Sequence, residues 1–171
     1  MSKSHVALLV FTAALAACVQ SREPVAEATT AKEDADRPVL RVQVDRARGT
    51  RWELGWGTAS AYDIATGQLL RNVSLEGANL SGARDVALPD MVLTRFGAVI
   101  VSSNAQPSIW RISPSRFEVE RFDLEVDSDH DKDFGFTALT WSAGERELFG
   151  VSTATGSLWR IDLATSKAVL L

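Results

Sequence analysis

The chain has 171 residues, of which 46% are apolar and 23% charged, with a formal net charge of −4. Strong hydrophobes through the second half exclude wholesale disorder, and the absence of a basic stripe excludes a nucleic-acid partner. Cys18 is the single cysteine, so an intramolecular disulfide and a thiolate metal cluster are both excluded.

The chain opens on Lys3 and a short apolar run, Val6 to Leu15, followed by Ala16, Ala17 and Cys18. A positive start, an apolar stretch of this length and small residues before a cut describe a secretory signal. The run is too short to cross about 30 Å of hydrocarbon as a permanent helix. Leu15-Ala16-Ala17-Cys18 resembles the lipobox of bacterial lipoproteins. The resemblance implies a signal peptide over 1–17, a cut before Cys18, and lipidation of Cys18, which makes a lipid membrane the first partner. Two or more acyl chains hold a protein stably at a bilayer. The same family tends to retain members with Asp after the cysteine at the inner membrane. Val19 stands there, which favours the outer membrane of the cell envelope. Residues 18–38 are polar and rich in Ala, Glu, Asp and Thr. They bury too little area to offset their ordering entropy and read as a flexible tether.

From Val39 to Leu171 the pattern is that of short strands. Trp52, Leu54 and Trp56 alternate with Arg51, Glu53 and Gly55, and Phe117 and Val119 alternate with Glu118 and Glu120. Ala98 to Val101 has the continuous apolar character of a strand buried on both faces. Gly, Pro, Ser, Asn and Asp punctuate the runs, and no helical period follows Pro38. Self-comparison finds a repeat. Ser108-Ile109-Trp110-Arg111-Ile112-Ser113 returns as Ser157-Leu158-Trp159-Arg160-Ile161-Asp162, 49 residues on. Ala61 to Gln68 matches Arg160 to Lys167, 99 residues on. A period near 50 residues therefore runs three times through the body.

These phrases resemble β-propeller blades of the type that carries Leu-Trp-Arg-Ile-Asp-Leu-Ala-Thr-Gly-Lys. The fold expected over 39–171 is all-β, an antiparallel meander of about three propeller-blade-like repeats. The turn at Ala65-Thr66-Gly67 supplies glycine where a positive φ is easiest. Closed propellers use roughly four to eight blades. Three units then pair between two chains, curl into a compact meander, or form a fragment-like descendant of a longer propeller, and a self-contained domain with a tendency to self-associate is expected. The apolar end, Ala168 to Leu171, is expected to pair with an early strand such as Leu40 to Val44 or with another chain.

The most unusual local sequence is acidic. Asp127, Asp129, Asp131 and Asp133 recur at every second position. On one strand face they would repel unless solvated or bound to a cation, and in a loop they can wrap Ca²⁺. The run resembles the calcium loops of EF-hands and propellers. Lys132 stands where those loops place glycine, and Ala138 where the EF-hand places its bidentate glutamate, so an EF-hand is excluded. A looser Ca²⁺ loop and a solvated acidic loop both remain. Phe134 and Phe136, with a bend at Gly135, return the chain to the core. The five tryptophans, Trp52, Trp56, Trp110, Trp141 and Trp159, sit largely in repeated or alternating positions and are expected to pack.

Little supports catalysis. His5 leaves with the signal, so His130 is the one histidine of the mature chain. A multi-histidine metal centre is excluded, and no nucleophile elbow, dinucleotide fingerprint or P-loop occurs. The expectation is a membrane-anchored envelope lipoprotein without an enzymatic reaction, a binding or scaffolding module for a protein partner, a second copy or a small ligand. The alternative is a metal- or cofactor-dependent enzyme of propeller type, or a subunit of one, using the acidic loop 127–133.

Overall fold

The computed structural model describes residues 38–78, 88–127 and 135–171. Strand-forming residues there are cut into short runs by glycine, Asp-Thr and Ser-Pro turns, and consecutive runs fold back on each other. The result is three antiparallel meanders, with no helix among the described residues. Sheet one holds β1 (Arg41–Asp45), β2 (Thr50–Leu54), β3 (Thr58–Asp63) and β4 (Leu69–Ser74) in chain order. Sheet two holds β5 (Met91–Leu93), β6 (Val99–Ser102), β7 (Ser108–Ile112) and β8 (Val119–Asp123), again in order. A two-residue strand, β9 (Glu125–Val126), continues from β8. Sheet three holds β10 (Ala138–Trp141), β11 (Leu148–Ser152), β12 (Ser157–Asp162) and β13 (Lys167–Leu170), and β9 joins its outer edge in parallel to β13.

The three sheets keep one register. Asp63 and Asp162 end the third strands of their sheets and Ser113 directly follows its own, and the fifth residue of each turn takes a positive φ: Gly67 at 72°, Phe117 at 57° and Ser166 at 52°. Both aspartates hold their turns directly. The Asp63 carboxylate accepts the Thr66 amide at 2.7 Å and its hydroxyl at 2.8 Å. The Asp162 carboxylate accepts the Thr165 hydroxyl at 2.8 Å and the Ala164 amide at 2.9 Å. Phe117 therefore belongs to a turn and not, as its alternation implies, to the strand that follows. Its ring leans on Trp52, with centroids 5.8 Å apart, and this packing offsets the left-handed backbone. Trp56 likewise lies past the end of β2, in the turn closed by Gly55 N donating to Thr58 O at 2.9 Å.

Sheet two is the middle layer. Val99, Val101, Trp110 and Ile112 join one core with Trp52, Leu54, Ala59 and Ala61 of sheet one. Ile100, Ile109 and Phe122 join a second core with Leu139, Trp159 and Ile161 of sheet three. Every residue of β6 is buried, as expected of the run through Val101. Trp52, Trp110 and Trp159 are all core residues, and each lies across a ladder from a smaller partner: Ala61, Val101 and Gly150. At Gly150 a Cβ would stand 2.6 Å from Phe136 Cδ1 and 2.8 Å from Ile161 Cδ1.

The first strands adjoin, β1 beside β5 and β5 beside β10. Asp90 ties them together. Its carboxylate accepts Arg41 Nε of β1 at 3.3 Å and the Leu139 amide of β10 at 2.8 Å. Ser102 adds a second link, its hydroxyl accepting the Asp90 amide at 2.9 Å and donating to Phe136 O at 2.7 Å. The C-terminal strand corrects an expectation. β13 lies between β12 and β9, not against Leu40 to Val44, because the hairpin from β12 places it locally and the chain leaving sheet two reaches its free side.

Candidate binding surface

The shared register gives each sheet one face toward the preceding sheet and one toward the following sheet. In sheet two the preceding face carries Val99, Val101, Trp110 and Ile112. The ladder positions that match them in sheet one are Arg51, Glu53, Ser60 and Tyr62, half-buried at the outer end of the stack. The Arg51 guanidinium pairs with Glu53 at 2.9 Å and lies 4.9 Å from the Tyr62 ring centroid. Val42 and Val44 of β1 flank them, about half exposed. The middle of this end face is polar, with its charges paired within the face.

The other end differs. The following face of sheet three carries Phe149, Val151 and Leu158, which match the buried Ile100, Ser102 and Ile109 of sheet two, together with Arg160 and Val169, which match the exposed Arg111 and Glu120. Leu158 is 44% exposed, and Leu171, whose amide donates to Leu158 O at 2.9 Å, is 60% exposed. Arg160 pairs with Glu147 at 3.7 Å. At the turn end of this sheet a groove of about 490 Å³ is lined by Trp141, Arg146, Arg160, Asp162, Leu163 and Lys167. Trp141 Nε1 is buried there without a hydrogen-bond partner. The first end thus centres on the Arg51–Glu53 pair, with Arg51 Nε buried without a hydrogen-bond partner and Val42 and Val44 half exposed beside it, and the other end presents apolar side chains ringed by charge.

Three carboxyls have lowered pKa values. Asp63 is lowered first by the Thr66 amide and then by its hydroxyl. Asp162 is lowered first by the Thr165 hydroxyl and then by the Ala164 amide. Asp123 is lowered first by the Ser108 hydroxyl, which donates to it at 2.7 Å, with Arg121 adding to the effect. In each case the neighbours donate to the ionised form. These carboxylates brace turns and strands, and Ser108 gives its proton to Asp123, so it is not poised as a nucleophile.

Of the residues singled out in the sequence, Cys18, Asp129, Asp131 and Asp133 lie outside the described residues, as do His130 and Phe134. Asp127 is described, and it belongs to the sheet edge. Its amide donates to Ala168 O at 3.3 Å and its Oδ1 accepts the Leu170 amide at 3.1 Å. Among the described residues no group of three or more His, Cys, Asp or Glu stands together as a metal site. Phe136 is fully buried. Gly135 serves a close approach, since a Cβ there would stand 2.2 Å from Ser103 O. The asymmetry of the two end faces has a signal in the sequence. Aligning the repeats sets Arg51, Glu53, Ser60 and Tyr62 against Val99, Val101, Trp110 and Ile112, which places a polar surface on the first unit alone.

No protein-family model matches the chain. No curated protein matches it. Among solved structures it is similar to the extracellular domain of a B. thetaiotaomicron protein described as a one-component system, at 15% identity and a TM-score of 0.53. The match covers 77% of this chain and 16% of that one, so the chain spans about a sixth of that structure's length. At this identity the likeness shows a shared all-β sheet arrangement.

Proposed function

We propose that this chain is a lipid-anchored module of the cell envelope, held at the outer membrane through Cys18, that acts by binding a protein and catalyses no reaction. Its three sheets are propeller-blade-like repeats, and the third is the docking end. The observation that carries this reading is the contrast between the two ends. The first sheet replaces core residues with a paired Arg51–Glu53 and Tyr62, as capping repeats do. The third keeps Phe149, Val151, Leu158 and Val169 on its open face. The fold likeness to an extracellular domain supports a place outside the cytoplasm. The tether 18–38 would let the docking end reach away from the bilayer.

Two measurements test the reading in the full chain expressed in bacterial envelopes. Radiolabelled palmitate is expected to label the wild type and not Cys18→Ala, and the label's absence from the wild type would remove the anchor. A photo-crosslinking residue at position 158 is expected to capture a protein, whereas one at position 42, on the opposite end, is not. Equal silence at both positions would remove the docking role.

A further inference from the structure

We propose that the end of the molecule where the first hairpin of each meander turns is a contact surface for an anionic lipid bilayer. The β1–β2, β5–β6 and β10–β11 hairpins all turn at this end, and the adjoining first strands bring their tips together. The Arg48 guanidinium lies against Gly97, where a Cβ would stand 2.6 Å from its carbon. The Arg95 amide donates to the Glu145 carboxylate at 2.7 Å. Ile64, in the turn between β3 and β4, joins the first tip, its amide donating to Gly49 O at 2.9 Å. One continuous surface results. It is set by the turns alone, so it stands apart from the anchor at Cys18 and from the open face of sheet three.

The hairpins carry four exposed arginines, Arg46, Arg48, Arg95 and Arg146, in a chain whose net charge is −4. The carboxylates among them are engaged inside the turns. Asp45 is buried and accepts Arg48 Nη1 at 3.0 Å, and Glu145 is held by the Arg95 amide. Asp63, next to Ile64, accepts the Thr66 amide and hydroxyl. Among the described residues, Arg46, Arg95 and Arg146 have no carboxylate within ion-pair distance. Apolar tips stand beside these cations. The amides of Arg48, Gly97 and Glu145 close their turns on Asp45 O, Thr94 O and Ser142 O, which puts Ala47, Phe96 and Gly144 at one equivalent place. The turn thus requires no large residue there, yet Phe96 stands 66% exposed, and Ile64 46%. The Arg95 guanidinium lies 4.6 Å from the Phe96 ring centroid, so cation and ring leave the surface together. A second copy would set like charge on like. A soluble polyanion would pair with the arginines and leave both apolar tips in water. An anionic bilayer takes both, with headgroup phosphates for the arginines and hydrocarbon just beneath for Phe96 and Ile64. Two separate tips, in place of a contiguous apolar patch, suit a fluid surface that closes around each. Each cation near such a surface adds about a factor of five in affinity, and three add about a hundred-fold.

The test sediments the full chain carrying Cys18→Ala, which no acyl group can hold, with vesicles of phosphatidylcholine alone or containing about one-third phosphatidylglycerol. Affinity for the anionic vesicles is expected to exceed that for the neutral ones at least about ten-fold and to fall as salt is raised. Arg46→Glu, Arg95→Glu and Arg146→Glu combined are expected to abolish the difference. Arg71→Glu, on β4 away from the turns, is expected to keep it. Phe96→Ala should weaken binding at every salt concentration, and Phe96→Trp should restore it. Glutamine at the three arginine positions replaces glutamate should the charge-reversed chain melt early. The apolar residues 6–15 are common to all these chains and cannot produce a difference between them. Equal binding to both vesicles, or equal loss with Arg71→Glu, would overturn the proposal. Retention on dextran sulfate without vesicle binding would assign the arginines to a soluble polyanion and overturn it as well. None of these outcomes alters the palmitate or crosslinking results by which the anchor and docking readings are judged.

Discussion

Replacing Gly150 by alanine adds one carbon at the tightest point of the junction between sheets two and three. That carbon would stand 2.6 and 3.0 Å from Phe136 Cδ1 and Cγ, and 2.8 Å from Ile161 Cδ1. Carbon atoms at rest are about 3.5–4.0 Å apart. Two side chains must therefore retreat by up to an ångström, and both are enclosed, Phe136 completely and Ile161 at 4% exposure. Overpacking of this kind costs about 1–3 kcal/mol. Removing a glycine from a strand returns about 0.5–1 kcal/mol, so a net loss of about 1–2 kcal/mol is expected. With a urea m-value of about 2 kcal/mol/M, the unfolding midpoint should fall by about 0.5–1 M. Tryptophan fluorescence reports the transition, because Trp159 is Gly150's ladder partner. Phe136→Leu should cost stability alone and partly relieve Gly150→Ala when the two are combined, a coupling that a double-mutant cycle measures. A Gly150→Ala midpoint at or above the wild-type value, or strictly additive effects of the pair, would refute the packing argument.

Asp90→Ala strands the Leu139 amide and Arg41 and should cost about 2–3 kcal/mol in urea unfolding. Asp90→Asn, which keeps an acceptor, should cost distinctly less, and equal losses would count against the carboxylate as the tie between first strands. Ser166→Gly relieves a φ of 52° and should raise stability by about 0.5–1 kcal/mol, seen as a higher melting temperature; a lower one would contradict the strain. The lowered folded pKa values of Asp63 and Asp162 contribute stability that is complete above the unfolded carboxyl value of about 3.9. It is lost as pH falls through the lower folded values. The urea midpoint should drop on acidification below about pH 4, and Asp63→Asn combined with Asp162→Asn should flatten that drop. An unchanged slope would locate the acid sensitivity elsewhere.

Much of the architecture is legible in the residues. The 49- and 99-residue offsets correspond to structurally matching positions, and the turns carry the expected glycine at Gly67. The reason is local: strand alternation and turn chemistry act over a few residues and leave a direct imprint. What depends on distant partners is not legible. Phe117 alternates like a strand residue but closes a turn, because Trp52 rewards the ring for being there. Trp56 continues the alternation of Trp52 and Leu54 but falls beyond Gly55, where the hairpin bends. The partner of Ala168 is decided by where the chain leaves sheet two, which no periodicity records. Asp127 shows the same limit at the candidate site. Its spacing to Asp129 suits a cation loop, yet its own oxygen accepts the Leu170 amide. The end-face contrast was present in the aligned repeats, and reading it required knowing which face of each sheet looks which way.

The loan of Glu125 and Val126 from the second meander to the edge of the third has a consequence for how the molecule comes apart. The amides of Glu125 and Asp127 donate to Ser166 O and Ala168 O, so peeling away the C-terminal hairpin also frays the chain leaving β8. Among the described residues, no strand of the first meander is laced into a neighbour's ladder in this way. Amide exchange should accordingly find the second and third meanders opening as one cooperative block, with the first able to loosen ahead of them.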